Sequence, residues 1–205
     1  MERENIKAYF AEGIPNTGIE LLFQGTTEVV GNSDVVLIVL TDRQQQRQIT
    51  MLADKWAERE LTLRRGNPGV VGELLPEVLC KVFPRMCADS FLLFIYGVDD
   101  GKYQVALVNV QTLDATPIRA SDAILLSLVA GLKIYIEGRL FSYQSVPFEA
   151  TGCRMALPLN TLSMDMLRQT LDKAVAAEDY ELASMIKKEM EQRTEGRKEN
   201  NERKE

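Results

Sequence analysis

The sequence predicts an α+β fold, with a mixed or antiparallel sheet domain with packed helices, followed by a C-terminal helical hairpin. Three observations support this prediction. Residues 35–40 form a continuous apolar run, which is typical of a strand covered on both faces. Asp99-Asp100-Gly101 separates two apolar runs, and Asp-Gly favours a hairpin because the tight turn needs positive φ. From residue 161 the pattern changes to two amphipathic helical segments.

The first part of the domain is predicted to contain strands and one helix. Residues 1–18 are rich in Gly, Pro and Asn and are interpreted as a flexible leader. Predicted strands cover residues 19–23, 34–40 and 48–52, with a polar turn at 41–46. Asp54 is predicted to begin a helix that ends near Arg65, before Gly66-Asn67-Pro68-Gly69. Its inward residues are expected to be Trp56, Leu61 and Leu63.

The second part of the domain extends to residue 150. A helix is predicted at 71–83, with Pro76 near its first turn. Strands are predicted at 91–96, 103–107, 113–118 and 133–137. An apolar helix starts near residue 120, and Gly131 is placed to close it as the residue after the C-cap.

The C-terminal part is predicted to be a linker at 151–160, a hairpin at 161–193 and a disordered charged tail at 194–205. Asp179 can cap the second hairpin helix because its carboxylate can accept a bond from an unpaired backbone N–H. The first helix has an apolar stripe of Leu162, Met166, Leu167, Leu171, Ala174 and Val175. The second helix continues it with Tyr180, Ala183, Ile186 and Met190.

The composition is that of a globular protein without a membrane span. Hydrophobic residues make up 45% and charged residues 26% of the chain. The longest apolar runs are too short to cross a bilayer, and the first residues show no secretory pattern. The three cysteines have no metal-ligand spacing, and Cys80 and Cys87 are interpreted as core residues. We therefore expect a cytoplasmic protein with reduced thiols.

The chain contains no histidine and has a net charge of −6. The first fact excludes a histidine general base or a histidine triad, and it leaves carboxylates as the ligands for a hard cation such as Mg²⁺ or Mn²⁺. The acidic balance argues against strong non-specific binding to a long duplex.

Arg119-Ala120-Ser121-Asp122 places a cation, a hydroxyl and a carboxylate at the predicted start of a buried helix. One interpretation is structural: Ser121 or Asp122 caps the helix, and Arg119 pairs with Asp122 or with a carboxylate on the helix predicted at 71–83. The other is functional: Arg119 holds a phosphate, while Asp122 helps to bind a divalent cation together with Glu73 or Glu137. Arg64-Arg65 and Arg139 are further candidates for contact with nucleic acid, although a solvated helix end is the favoured interpretation of Arg64-Arg65.

Residues 35–147 resemble the bifunctional nuclease family, small α+β proteins with reported DNase and RNase activity in plant members. The resemblance rests on the apolar strand at 35–40, the Asp100-Gly101 hairpin, Arg119-Ala120-Ser121-Asp122-Ala123-Ile124 and Lys133-Ile134-Tyr135-Ile136. It implies a hydrolase acting on DNA or RNA, with Asp122, Glu73 and Ser121 as catalytic candidates. Arg119 and Arg139 are the implied substrate-binding residues, and Asp122 the implied metal ligand.

The chain departs from the family pattern at two places. A Thr-His-Asp-Leu run is common in the family, and here the corresponding residues are Val71-Gly72-Glu73-Leu74. An early Glu-Ala pair of the preceding helix is replaced or shifted around Trp56-Ala57-Glu58. The chain is thus identified as a divergent member that lacks the family histidine.

Residues 171–183 resemble the UVR motif, a helical hairpin that mediates pairing between partners in bacterial excision repair. The matching features are Ala174-Val175, then Glu178-Asp179-Tyr180, then Leu182-Ala183. Some members of the bifunctional nuclease family end in this motif. The resemblance implies a protein partner that binds through Leu171, Val175, Tyr180, Ala183 and Ile186.

Two functions follow as hypotheses. The first is a nuclease-like protein acting on DNA or RNA, with Mg²⁺ or Mn²⁺ as a candidate cofactor. The second is a catalytically inactive interaction protein, in which the α+β domain is a dimeric scaffold and the hairpin binds a partner. Under either hypothesis we expect a homo-oligomer.

Overall fold

The computed structural model describes residues 18–29, 32–66, 72–148, 159 and 162–202. The chain divides into two compact units, Met1–Ala156 and Leu157–Glu205, each with its own core. Several predictions lie outside the described residues: nearly all of the leader, the loop at 67–69, Val71, most of the linker and the last residues of the tail.

The first unit is built on one mixed sheet of eight strands, and the predicted α+β class is confirmed. The strands are β1 (Gly18–Val29), β2 (Asn32–Asp42), β3 (Arg47–Asp54), β4 (Phe91–Asp99), β5 (Lys102–Asn109), β6 (Ala115–Arg119), β7 (Ile134–Glu137) and β8 (Val146–Pro147). Their order is β6-β5-β4-β7-β1-β2-β3-β8. Among the strand pairs that the structure describes, β4–β7 is parallel and the others are antiparallel, so this pair joins the two antiparallel halves of the sheet.

The Asp-Gly hairpin forms as predicted. Asp100 and Gly101 have φ of 50° and 76°, so both central residues of the turn adopt the left-handed region that this turn requires. The turn sets the register that pairs Asp99 with Lys102, and a β-bulge between Ile95 and Gly97 then shifts it by one residue, so that Leu93 pairs with Leu107.

Within the described ranges the first unit has four helices: α1 (Lys55–Gly66), α2 (Leu75–Val82), α3 (Ala120–Ala130) and α4 (Gly138–Gln144). The main core lies where α1 and α3 cover one face of the sheet, with Leu61 and Ile124 packed on strand residues such as Ile38. Burial of this apolar surface supplies the main driving force for the fold. Gly131 closes α3 at φ 67°, as predicted.

Three local predictions for the first unit are wrong. Trp56 is 54% exposed, because α1 turns Ala57 and Leu61 to the sheet instead. The helix predicted at 71–83 is shorter in the structure, because Gly72, Glu73 and Leu74 lie in a turn and α2 spans Leu75–Val82. Cys80 and Cys87 are both half-buried free thiols rather than core residues.

The second unit is a pair of helices, α5 (Met164–Ala176) and α6 (Tyr180–Glu202). Asp179 caps α6 as predicted, since its Oδ1 accepts a hydrogen bond from the Leu182 N–H at 3.0 Å. The interior is a cluster of Leu162, Leu167, Ala174 and Ile186. The α6 helix continues past Thr194 into the predicted disordered tail, because the Glu, Lys and Arg residues there are good helix formers.

Across the described ranges, no helix has the length and apolar character that crossing a bilayer requires.

Candidate functional site

Arg119 occupies the junction between β6 and α3. Its backbone is still extended, and the chain becomes helical at Ala120. The guanidinium turns back to the first helical turn and donates two hydrogen bonds to Asp122, from Nε to Oδ2 at 3.2 Å and from Nη2 to Oδ1 at 3.1 Å. This two-point geometry fixes the plane of the guanidinium.

Asp54 brings a second carboxylate to the same arginine. It ends β3 and precedes α1, and its Oδ1 accepts a hydrogen bond from the Ala57 N–H at 2.7 Å. Its other oxygen, Oδ2, lies 3.4 Å from Arg119 Nη1. Asp54 at the end of β3 and Asp122 in the first turn of α3 therefore contact different nitrogens of the same guanidinium.

Trp56 completes this group, which we call the Arg119 cluster: Arg119, Asp122, Asp54 and Trp56. The guanidinium carbon of Arg119 is 5.8 Å from the centroid of the Trp56 ring, within the range of a cation–π contact. The indole is also 54% exposed. An arginine beside an exposed aromatic ring can hold a phosphate while a base stacks on the ring.

The cluster is open to solvent and carries more negative than positive charge. The side chains of Arg119, Asp54 and Asp122 are 53%, 53% and 42% exposed. The hydrogen bond to Asp122 raises the pKa of Arg119, with burial opposing it and the charges of Asp122 and Asp54 adding to it. Exposed pairs of this kind stabilise a fold by only about 0–1 kcal/mol. The arginine can therefore exchange its partners at small cost.

The predicted capping role of Ser121 or Asp122 is wrong. The N-cap of α3 is Arg119, and no side-chain cap bond forms there. Since the helix begins at Ala120, Ser121 and Asp122 already lie within the first turn. Ser121 is buried, with 7% of its surface exposed, and both carboxylate oxygens of Asp122 accept hydrogen bonds from Arg119. The structural expectation that Arg119 pairs with Asp122 is confirmed.

The other sequence candidates are not gathered at this cluster. Glu73 is exposed in the turn before α2, and Arg139 is exposed on α4. Glu137 instead caps α4, where its Oε2 accepts the Leu140 N–H at 2.6 Å. In the part of the chain that the structure describes, no three His, Cys, Asp or Glu residues are placed to hold a metal ion.

Arg64 is not available to nucleic acid. Its side chain is 4% exposed and binds Glu77 at 2.7 and 3.0 Å and Glu60 at 2.8 Å. Burial lowers the pKa of Arg64, but the hydrogen bonds and charges of Glu77 and Glu60 outweigh it and leave the pKa above its ordinary value. The interpretation of Arg64-Arg65 as a nucleic-acid contact is therefore wrong for Arg64.

The hairpin presents part of its predicted partner surface. Leu171, Val175, Tyr180 and Ala183 line an open groove of about 690 Å³ along α5 and α6. Val175 and Tyr180 are 52% and 70% exposed. Ile186 is fully buried between the two helices, so its side chain holds the hairpin together and is not on the open face. We call Leu171, Val175, Tyr180 and Ala183 the hairpin face.

Sequence reasoning missed Asp54 and Trp56 as members of the site. Asp54 was assigned only to the helix start and Trp56 to the core. The available signal was an acidic residue at a strand–helix junction, which is the same local arrangement that marked Asp122. The sequence alone does not show that Asp54 and Arg119 are close in space, because they are 65 positions apart and only the fold brings them together.

No protein-family model matches the chain, and no curated protein matches it.

Proposed function

We propose that this protein is a nuclease-like hydrolase that cleaves DNA or RNA phosphodiesters with Mg²⁺ or Mn²⁺ at the Arg119 cluster. One observation carries the proposal: Arg119 joins two exposed carboxylates beside an exposed indole. The resemblance at Arg119, Ser121 and Asp122 supports the same reaction.

The residues of the cluster fit a divalent cation and a phosphate. Asp54 and Asp122 would hold the ion, since Mg²⁺ in phosphoryl sites is commonly bound by one or two carboxylates together with substrate phosphate and water. The ion would supply an activated water at neutral pH and neutralise developing charge. Arg119 would bind a non-bridging phosphate oxygen, and Trp56 would stack on a neighbouring base.

Because Arg119 is exposed, it can exchange its carboxylate partners for a phosphate at a small cost in free energy. In the structure the guanidinium pairs with both carboxylates and offsets one of their two negative charges. A phosphate offers it equally good two-point hydrogen bonds, so substrate binding would draw Arg119 away from Asp122 and Asp54. The carboxylates would then be free for the cation. Because the chain has no histidine, water activation falls to the metal site rather than to an imidazole.

Cleavage of labelled single- and double-stranded DNA and RNA tests the proposal. We expect phosphodiester cleavage by the purified full chain with Mg²⁺ or Mn²⁺, and loss of cleavage with a chelator. Restoration by added Mn²⁺ would exclude damage by the chelator. A chain that cleaves none of the four substrates with either metal contradicts the proposal.

A second candidate function is partner binding through the hairpin face, which would persist in a catalytically inactive scaffold. The observation that supports this function is the open, mostly apolar groove around Val175 and Tyr180. An isolated pair of helices buries little area, so an unfilled apolar face of this kind favours a helical protein partner. The resemblance to the UVR motif supports the same kind of partner.

The Val175→Asp substitution tests this second function. A charge among the apolar residues of the groove should weaken binding of the partner by at least about tenfold, because the partner would remove water from the carboxylate. We would capture partners with the full chain, purify the principal one and measure its affinity by calorimetry. Gln169→Asp, also on α5 and exposed, is the matched control and should bind normally. Equal affinity of wild type and Val175→Asp would exclude the hairpin face.

The proposed location is the cytoplasm. Cys80 and Cys87 carry free thiols, which is in keeping with a reducing compartment.

A further inference from the structure

Trp56 is the only tryptophan of the chain, and it occupies the second position of α1. It is 54% exposed, while Ala57 and Leu61 are the α1 residues that pack in the main core. The guanidinium carbon of Arg119 lies 5.8 Å from the centroid of the indole ring. The first unit therefore presents a cation and an open aromatic surface to solvent side by side.

These two groups match the two parts of a nucleotide. A guanidinium can donate two parallel hydrogen bonds to a phosphate, and an indole can stack on the flat face of any base. One strand advances about 3.4 Å per nucleotide along a duplex, so a separation of 5.8 Å corresponds to about one or two nucleotides. A phosphate at Arg119 and a base at Trp56 would therefore belong to the same nucleotide or to adjacent nucleotides of one strand.

The state of the base decides which nucleic acid can use the indole. Inside a duplex both faces of a base are covered by its neighbours, so the base must leave the helix before it can stack on Trp56. The free energy needed to unstack and unpair a base is of the same order as the free energy that stacking on an aromatic side chain returns. A base that is already unpaired avoids this cost. The indole therefore favours single-stranded substrates.

Two cations accompany the indole. One is Arg119, and the other is Arg59, which is exposed on α1 and follows Trp56 by three residues, a spacing that places both side chains on the same side of the helix. Lys55 is instead paired with Glu58 at 2.9 Å. Two cations can hold the phosphates of a short stretch of one strand, whereas duplex binding rests on many such contacts and the chain carries a net charge of −6. The charges therefore suit one strand rather than two.

We propose that the Arg119 cluster is selective for single-stranded nucleic acid, and that Trp56 is the residue that determines this selectivity. The inference rests on the proposed nuclease function and narrows its substrate to unpaired strands. Stacking on an indole tolerates every base, and neither the stacking contact nor the phosphate contact involves the sugar. Single-stranded DNA and single-stranded RNA are therefore both expected substrates.

Cleavage of one labelled strand in three states tests the selectivity: alone, annealed to its full complement, and annealed to a complement that leaves a central bulge unpaired. With Mg²⁺ we expect kcat/KM for the strand alone to exceed that for the full duplex by at least about tenfold. The bulged strand should be cut at its unpaired nucleotides. Equal cleavage of the strand alone and of the full duplex would overturn the inference and leave the nuclease function in place.

The fluorescence of Trp56 gives a second measurement, which does not require cleavage. Because the chain has no other tryptophan, the whole indole signal reports on this ring. We expect a non-cleavable phosphorothioate strand with Mg²⁺ to quench it, and the duplex of the same sequence to need at least about tenfold higher concentration. No quenching by the single strand, or equal quenching by both, would overturn the inference even where cleavage occurs. Quenching by the single strand without cleavage of any substrate would uphold the inference about binding and contradict the proposed hydrolysis.

Replacing Trp56 by leucine removes the aromatic surface and places a good helix former at an exposed position, so the fold should be retained. We expect KM for the single strand to rise at least about tenfold with kcat within about threefold of wild type, because stacking contributes equally to ground-state and transition-state binding. Trp56→Phe keeps an aromatic ring and should stay within about threefold of wild type in KM. Tyr143→Leu, at an 86% exposed aromatic residue of α4, is the matched control and should leave KM unchanged. A Trp56→Leu variant with the KM of wild type would overturn the role of Trp56.

Discussion

Replacing Asp122 by asparagine is expected to lower metal-dependent cleavage at least about 100-fold, because the change removes one of two carboxylate ligands from the proposed cation site. Asn keeps the size of the side chain and one oxygen. The exposed pair with Arg119 contributes little to stability, so the fold should be retained. Cleavage rates at saturating Mn²⁺, with circular dichroism as the check on folding, measure the effect.

Asp165→Asn is the matched control for this substitution. Asp165 also lies in the first turn of a helix and also pairs with an arginine three residues away, Arg168, at 3.2 Å. It has no place in the Arg119 cluster, so its loss should leave cleavage within about twofold of wild type. Equal cleavage by wild type and Asp122→Asn would remove Asp122 from the site.

Replacing Arg64 by methionine is expected to lower the free energy of unfolding by about 3 kcal/mol, the usual cost of breaking a buried ion pair on one side. The substitution leaves Glu77 and Glu60, whose side chains are 12% and 19% exposed, facing each other without a cation. Methionine fills much of the same volume, so the loss would report the charges rather than a cavity. Urea unfolding monitored by circular dichroism gives the value.

The control for Arg64 is Arg168→Met. Arg168 is 63% exposed and its partner Asp165 is 83% exposed, so that pair is screened by water. Its removal should change the free energy of unfolding by no more than about 0.5 kcal/mol. If Arg64→Met lowers the free energy of unfolding by less than about 1 kcal/mol, Glu77 and Glu60 become hydrated in the variant. The Arg64–Glu77 ion pair would then not be what holds α2 in place.

Features with a short-range cause were predictable from the sequence. The Asp100-Gly101 turn, the αL residue Gly131 and the Asp179 cap each depend on the backbone demands of a few neighbouring residues. The strand at 35–40 was predictable because continuous apolar character is required of a strand buried on both faces. Val36, Leu37 and Ile38 are indeed all fully buried.

Features decided by tertiary contacts were not predictable in the same way. The apolar residues of α2 have the same spacing whether they face the core or the solvent. The ion pair between Arg64 and Glu77 on the other side of the helix favours the outward orientation. Trp56 was expected to face the core, but Ala57 and Leu61 are the α1 residues that pack in the main core, so Trp56 lies at the surface, where it contacts Arg119. Part of the site was predictable, because Arg119 and Asp122 are close in the sequence. Asp54 was not, because only the folded sheet places it beside Arg119.

Manganese located by anomalous diffraction, in crystals grown with Mn²⁺ and a non-cleavable phosphorothioate oligonucleotide, tests the central claim most directly. We predict a metal peak between the Asp54 and Asp122 carboxylates, with Arg119 rotated onto a phosphate and a base stacked on Trp56. Crystals that show bound oligonucleotide elsewhere, no manganese at these carboxylates and Arg119 still joined to both of them would contradict it.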